Sequence, residues 1–320
     1  MEFEFSAGIL VYRRNAGELE FLFLKNKDGW LDFPKGHIEE SEHALEAAVR
    51  ETLEETGLRI KPDVFFRKDS YYWFLRGKTR IKKRLTMFLG EAKSGSVVTV
   101  SDEHIGYAWL RQEHALKELK FRDQIDFIRA ATEYIGRRAE IDELNESYAG
   151  LWKKQKRWDL SRNFVPGYGP VNAEIMLIGQ APGAEEDKQG KPFVGRSGVL
   201  LTSLLEKAGL DRNRIYITST VQFFPPKNRV PDKTEIGLCL PFLMRQVEII
   251  DPELIILVGA VSAKALANVE HVAHNHGTLK SYNGRKFFIT LHPAAAVRIR
   301  TNMQLIESDF IKLGRILKEV

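Results

Sequence analysis

Three glutamates, Glu51, Glu54 and Glu55, stand in the stretch RETLEETG, Arg50 to Gly57. In a helix these are positions i, i+3 and i+4, so their carboxylates share one face. Like charges at that spacing destabilise a helix. Something positive must offset the repulsion, and a divalent cation is the natural candidate. Mg2+ takes oxygen ligands, keeps several waters and bridges carboxylates to substrate phosphates. Alone, the octapeptide reads better as a solvated acidic face with a few ion pairs. A Pro/Gly loop, DFPKGHIEES (32–41), precedes it, and Gly57 is a natural C′ residue.

A second candidate lies in GQAPGAEEDKQGKPFVGRSG (179–198). Gly-rich loops between a strand and a helix let backbone N–H groups approach an anion or a base closely. This one falls at the carboxyl end of a strand, where open α/β sheets place their ligands.

The elements that position these residues can be read from the pattern. Strand-like runs SAGILVYRR (6–14) and LEFLFLKN (19–26) are joined by a turn containing Asn15 and Gly17. A helix is expected over 42–56, strands near 64–75 and 84–91, and a closing amphipathic helix over 121–136. The charged, helical segment 137–158 reads as a connection or as the opening of a second domain. Beyond it strand and helix alternate: AEIMLIGQ (173–180), a helix over 197–210, RIYITSTV (214–221), a helix over 231–250, ELIILVG (253–259), a helix from Ala260, RKFFITLH (285–292) and a final helix. That alternation argues a parallel sheet with helices on both faces.

A length of 320 residues favours two domains, and 43% hydrophobic residues exclude a disordered chain. The single cysteine, Cys239, excludes a disulfide framework and a Cys-rich zinc site. MEFEFSAGILVYRR lacks signal-peptide regions, and LIILVGAVSA (254–263) is too short to span a bilayer. A soluble, cytoplasmic protein with no membrane partner is expected. The formal charge of +5 falls in residues 141–320, which mildly suggests a polyanion partner there.

Read outward, the first motif is Gly36, five residues, Glu42, seven residues, Arg50-Glu51, two residues, Glu54-Glu55, one residue, Gly57-Leu58. This resembles the Nudix box, with Thr52 where a bulkier apolar residue is usual. The resemblance implies Mg2+ or Mn2+ held by Glu51, Glu54 and Glu55 with help from the Gly36 carbonyl, and Arg50 orienting the carboxylates. Either Glu51 or Glu54 would take the proton from water. FPKGHIEE (33–40) and SDEHIGYAWL (101–110) resemble the branch that hydrolyses dinucleoside tetraphosphates. There Glu103 would reach the metal from outside the helix and Tyr107 would lie near the nucleobase, with Tyr71 or Tyr72 as a second ring. Lys35, His37 and Lys83 are candidates for phosphate contacts.

The second half resembles the family 4 uracil-DNA glycosylases over about residues 150–310. Its elements come in order: GxAPGxEEDxxGxPFVGRSG, YITxxVxxxPPxNRxP (216–231), CxPFLxxQ (239–246), PELIILVGAxSAxAL (252–266) and HPAAxxR (292–298). The resemblance implies uracil stacked on Phe193, His292 stabilising charge on the uracil O2, and Arg298 near phosphate. Two positions depart from the family: Gln180 replaces its glutamate and Ser219 its base-reading asparagine. Four cysteines hold an iron–sulfur cluster in the family, and only Cys239 remains here, so no cluster is expected. Phe223, Phe224 and Trp152 or Trp158 would fill that space.

The expected architecture is α/β throughout: a Nudix α/β/α sandwich with a mixed sheet over 1–138, a charged connecting segment over 139–165, and a glycosylase-like α/β/α sandwich with a parallel sheet over 166–320. The expected function is Mg2+- or Mn2+-dependent hydrolysis of nucleoside polyphosphates, with dinucleoside tetraphosphates foremost. The second domain would meet single- or double-stranded DNA. The alternative is a bifunctional repair enzyme whose second domain excises uracil without a cluster while the first sanitises damaged nucleotides.

Overall fold

The computed structural model describes residues 2–154, 163–298 and 300–319. Two compact units divide the chain, Met1–Gly136 and Arg137–Val320.

The first unit carries strands β1 (Glu2–Asn15), β2 (Glu18–Asn26), β3 (Leu31–Asp32) and β4 (Lys35–His37), helix α1 (Ala44–Thr56), strands β5 (Pro62–Arg76), β6 (Thr79–Glu91) and β7 (His104–Arg111), helix α2 (Gln112–Glu118) and the start of α3 (Arg122–Lys154). The sheet runs β3-β2-β1-β6-β5, with β4 also paired to β1 and β7 to β2. β1 pairs parallel with β6 and antiparallel with β2 and β4, so the sheet is mixed. The closing helix and the charged helix expected as two pieces form one uninterrupted α3. Leu, Ala and Glu-rich stretches propagate a helix, and no Pro or turn pair stops this one.

Helix α1 presents Ala47, Ala48, Thr52, Glu55 and Thr56 to the interior. Small side chains let the helix sit close on β1, where Ala7, Ile9 and Val11 complete the cluster. Thr52 is fully buried, and its hydroxyl donates to the Ala48 carbonyl at 2.7 Å, so the polar atom is satisfied within its own helix. Gly57 closes the helix in the left-handed region at φ 69°, and its N–H donates to the Leu53 carbonyl.

The second unit continues α3 and adds β8 (Ile175–Gly179), α4 (Ala184–Gln189), α5 (Arg196–Lys207), β9 (Ile215–Ser219), α6 (Lys233–Ile250), β10 (Leu254–Val258), α7 (Ala260–Ala267), α8 (Val272–Asn275), β11 (Thr278–Tyr282), β12 (Arg285–Thr290), α9 (Pro293–Arg298) and α10 (Arg300–Glu319). The sheet order is β11-β12-β10-β8-β9. Four strands are parallel; β11 alone runs antiparallel, as a hairpin with β12. The sequence reading missed β11 because Lys280 and Ser281 interrupt any apolar alternation at this half-exposed edge. By contrast all five residues of β10 are buried, as expected of a parallel strand covered on both faces. Among the described residues, no helix is long and apolar enough to cross a membrane.

Candidate functional sites

The first site is organised by Arg50. Its guanidinium forks onto Glu42 through two bonds of 2.9 Å, and donates to Glu51 at 2.8 Å, to Glu54 at 3.1 Å and to the His37 carbonyl at 3.0 Å. One fixed cation therefore offsets the crowded carboxylates of α1. The bonds to Glu42 and the one to Glu51 push its pKa above the usual arginine value.

β4 brings Gly36 onto α1. It lies opposite Ala7 of β1, and a Cβ at this position would fall 1.9 Å from the Glu51 carboxylate carbon. Only glycine leaves the carboxylate its place. Gly36→Ala should therefore lower hydrolysis by about 10²-fold, the cost of misplacing a reacting group by an ångström. In a Glu51→Gln background it should add little, because the group it displaces is already disabled. Steady-state rates for the two single variants and the double variant check this.

Glu55 faces inward, 9% exposed, and accepts the Lys35 backbone N–H at 2.9 Å. Burial raises its carboxyl to about 7, against the pull of that N–H and of the Lys35 charge. Glu51 and Glu103 add to the rise, so both carboxylates lie within electrostatic reach of Glu55. Glu103 itself is exposed. Among the described residues no three His, Cys, Asp or Glu side chains gather as metal ligands. The carboxylates are instead turned to Arg50 and to the Lys35 amide.

Lys35 bonds Asp32 at 2.6 Å. Burial pulls its ammonium down, but the Asp32 carboxylate outweighs that and leaves it above the usual lysine value. Lys83 is half-buried, and burial followed by the Lys35 charge lowers its pKa. Tyr72 stands beside Lys83 in the β5–β6 register, and burial raises its phenol. His37 is exposed and lies 3.2 Å from Glu4. Tyr107 is 47% exposed on β7. Strand alternation turns Tyr71 to the opposite face from Tyr72, away from Lys83.

The second site is a cavity of about 300 Å3 at the carboxyl ends of β8 and β9. Gln180, Phe193, Ser219 and His292 all line it, so residues far apart in the chain share one pocket. Glu186, Asn228 and Ser197 line it too. These three lie within the quoted motifs, but no chemical reason in the sequence singled them out. Phe193 sits at φ 53°, and its ring lies 6.1 Å from that of His292 with 25° between planes. Gly179 makes room for it: a Cβ there would meet the Phe193 ring at 2.6 Å.

Two charged groups hold the Phe193 loop. Arg212 donates to the carbonyls of Pro192, Phe193 and Gly198 at 3.2, 2.8 and 3.2 Å. Glu186, 8% exposed, accepts the N–H groups of Gly183, Val194 and Gly195 at 3.1, 2.9 and 2.8 Å. Sequence reasoning missed Arg212, which lies outside every motif.

His292 Nδ1 accepts the Ala294 N–H at 3.1 Å, so a neutral ring carries its proton on Nε2. Burial lowers its pKa to about 4, against the opposing charge of Glu186. The folded state thus binds fewer protons than the unfolded one between the two values. Stability is unaffected by this group above the ordinary 6.5 and is lost as pH falls from there towards 4. The melting temperature of His292→Asn relative to wild type should rise over that window, as paired thermal melts will show.

Cys239 lies in a buried cluster with Tyr148, Val221 and Phe223, packed by Phe164 and Phe242. Tyr148 stacks on Phe242 at 4.0 Å and meets Phe223 edge-on at 5.4 Å. Burial pushes the Cys239 thiol up to about 11, so it is a neutral packing group. Phe223 thus fills space here, while Phe224 stays partly exposed. Trp158 and the side chains of Trp152 and Arg298 lie outside the described residues.

Each half of the chain matches a family of known proteins. A family model described as NUDIX domain matches residues 3–131, and one described as Uracil DNA glycosylase superfamily matches residues 166–313. The type-4 uracil-DNA glycosylase of Sulfurisphaera tokodaii is 39% identical over 51% of this chain and 79% of its own length. The asymmetrical bis(5'-nucleosyl)-tetraphosphatase of Mus musculus is 33% identical over 37% of this chain and 86% of its own. Among solved structures, a binary complex of a C. elegans Ap4A hydrolase aligns with 42% of this chain and 98% of its own, at 26% identity and a TM-score of 0.39.

Proposed function

We infer the function from a chain that belongs to two families, the Nudix hydrolases through residues 3–131 and the uracil-DNA glycosylase superfamily through residues 166–313. It is a Nudix pyrophosphohydrolase joined to a glycosylase-type unit. The proposed substrate of the first unit is a dinucleoside tetraphosphate. The observation that carries the hydrolase reading is the Arg50 fan, which draws Glu42, Glu51 and Glu54 together beside Gly36; the likeness to the asymmetrical tetraphosphatase supports the substrate.

The donor set is all carboxylate and carbonyl oxygen, which suits Mg2+ or Mn2+. Glu51, Glu54, Glu55, Glu103 and the Gly36 carbonyl would hold it once the carboxylates turn from Arg50 and the Lys35 amide towards the cation. When bound, the cation supplies polarised phosphoryl oxygens and a more acidic water. The rest is the work of the chain. Lys35, Lys83 and His37 would draw the polyphosphate; the two lysines repel each other until an anion lies between them. Tyr72 or Tyr107 would stack the base. Glu51 or Glu54 would take the proton from the attacking water, and Arg50 holds both carboxylates in place. Hydrolysis of a dinucleoside tetraphosphate to a nucleoside triphosphate and monophosphate, or to two diphosphates, followed by chromatography with and without Mg2+, tests the reading. Turnover confined to other nucleoside diphosphate derivatives would sink the proposed substrate.

For the second unit we propose recognition of uracil in DNA. A second reading, cluster-free excision, is favoured by the Phe193–His292 pair, in which a ring offers a stacking face and a neutral Nε2–H is available as donor. Gln180 would position water but is a poor base, and Ser219 is too short for the paired contact an amide makes with the base edge.

A further inference from the structure

The first unit carries a surface that the hydrolase site does not use. On β5, Tyr72 shares the face of Lys83, and Tyr71, Trp73 and Leu75 point the other way. Cross-strand register sets Phe3, Lys82 and Trp73 in one row, and Phe5, Arg84 and Tyr71 in the next. Arg80 stands opposite Leu75. The four rings, Phe3, Phe5, Tyr71 and Trp73, are 58, 49, 59 and 40% exposed.

Cations are interleaved with these rings. The Lys82 ammonium lies 6.0, 5.7 and 5.5 Å from the ring centroids of Phe3, Tyr71 and Trp73. The Arg80 guanidinium lies 4.5 Å from that of Trp73. The carboxylate of this face, Asp69, is already engaged by the Thr86 hydroxyl at 2.6 Å and by Arg84 at 3.3 Å. Single exposed rings need no explanation, but a contiguous set in two rows does.

We propose that this face binds single-stranded DNA. Rings on a sheet offer flat stacking partners to bases, and lysine and arginine between them meet the phosphates. Such a mixture complements a polyanion with π faces; a purely apolar partner would leave the cations desolvated and unpaired. Rings two residues apart on a strand are ~6.8 Å apart, about twice the 3.4 Å step of a duplex strand. The strand must therefore be opened, and a duplex also hides its base faces. The choice of DNA over RNA rests on the second unit's membership of the uracil-DNA glycosylase superfamily.

The test uses the full chain and a fluorescein-labelled oligodeoxythymidylate, which contains no uracil and so does not depend on excision. Anisotropy should show Phe3→Ala/Trp73→Ala weakening binding by about tenfold or more, since each lost stack is worth about 1–3 kcal/mol. Lys82→Ala should lower the salt slope by ~0.7, one phosphate on a single strand. An iodouracil-substituted oligonucleotide should photocrosslink to the β5 segment 62–76. Unchanged affinity in the double variant, with crosslinks confined to residues 166–313, would overturn the proposal. So would a change in sedimentation of that variant without DNA, which would make the face a contact between copies. Tighter binding of an oligouridylate of equal length would overturn the choice of DNA.

Discussion

Glu54→Gln should lower Mg2+-dependent hydrolysis of a dinucleoside tetraphosphate by about 10²–10⁴-fold, the range for losing a positioned proton acceptor. Its fold should hardly notice. The Glu54 side chain is 58% exposed, and Arg50 keeps both bonds to Glu42 and the bond to Glu51 without it. The melting temperature should therefore stay within a few degrees, as for most exposed substitutions. The amide preserves shape and removes only charge and basicity. A variant with full turnover would remove Glu54 from the site and leave Glu51 as the base. Loss of turnover together with loss of Arg50 order, seen as a lowered melting temperature, would make Glu54 a structural anchor instead.

Under the excision reading of the second unit, uracil release from a single-stranded oligonucleotide is the second result to expect, with His292→Ala lowering it by about 10²–10³-fold. That is the cost of removing one donor aimed at a developing oxyanion. The geometry gives the reason for choosing this residue. Its Nδ1 is occupied by the Ala294 N–H, its pKa is pulled down to about 4 by burial, and its ring lies beside Phe193. At neutral pH it acts as an uncharged donor. Release that vanishes in the variant would establish a working glycosylase without a cluster, and hence a bifunctional enzyme. An oligonucleotide bound without release would make the second unit a recognition domain, with the hydrolase as the chain's chemistry.

The two units differ in how much of each site the chain order reveals. In the first, Glu51, Glu54 and Glu55 lie on one helix, so helical periodicity places them near one another, while the fold turns Glu55 inward to the Lys35 amide and Glu51 and Glu54 to Arg50. The alternation of strands and helices in the second half likewise reveals a parallel sheet, because its buried strands are continuous apolar runs. What the sequence could not reveal depends on long-range contact. Arg212 is remote from every motif, and only the return of the chain past α5 brings its guanidinium onto the Phe193 carbonyl. The hairpin strand β11 is set by pairing with β12 and has little apolar signal of its own. Thr52 looked like a departure from the pattern, and the packed helix shows why it is tolerated: its hydroxyl is satisfied by Ala48.

The sequence by itself determined the two families, the helix that carries the carboxylates and the alternation of the main strands and helices in the second half, because these are local patterns or fixed spacings along the chain. Tertiary structure decided which neighbours those residues keep. It placed Gly36 against Glu51, turned Tyr71 away from Tyr72's site and gathered Gln180, Phe193, Ser219 and His292 around one cavity. It also lowered the His292 pKa by removing water from the ring. Contacts across the chain and burial are properties of packing, and neither has a period that a linear pattern can carry.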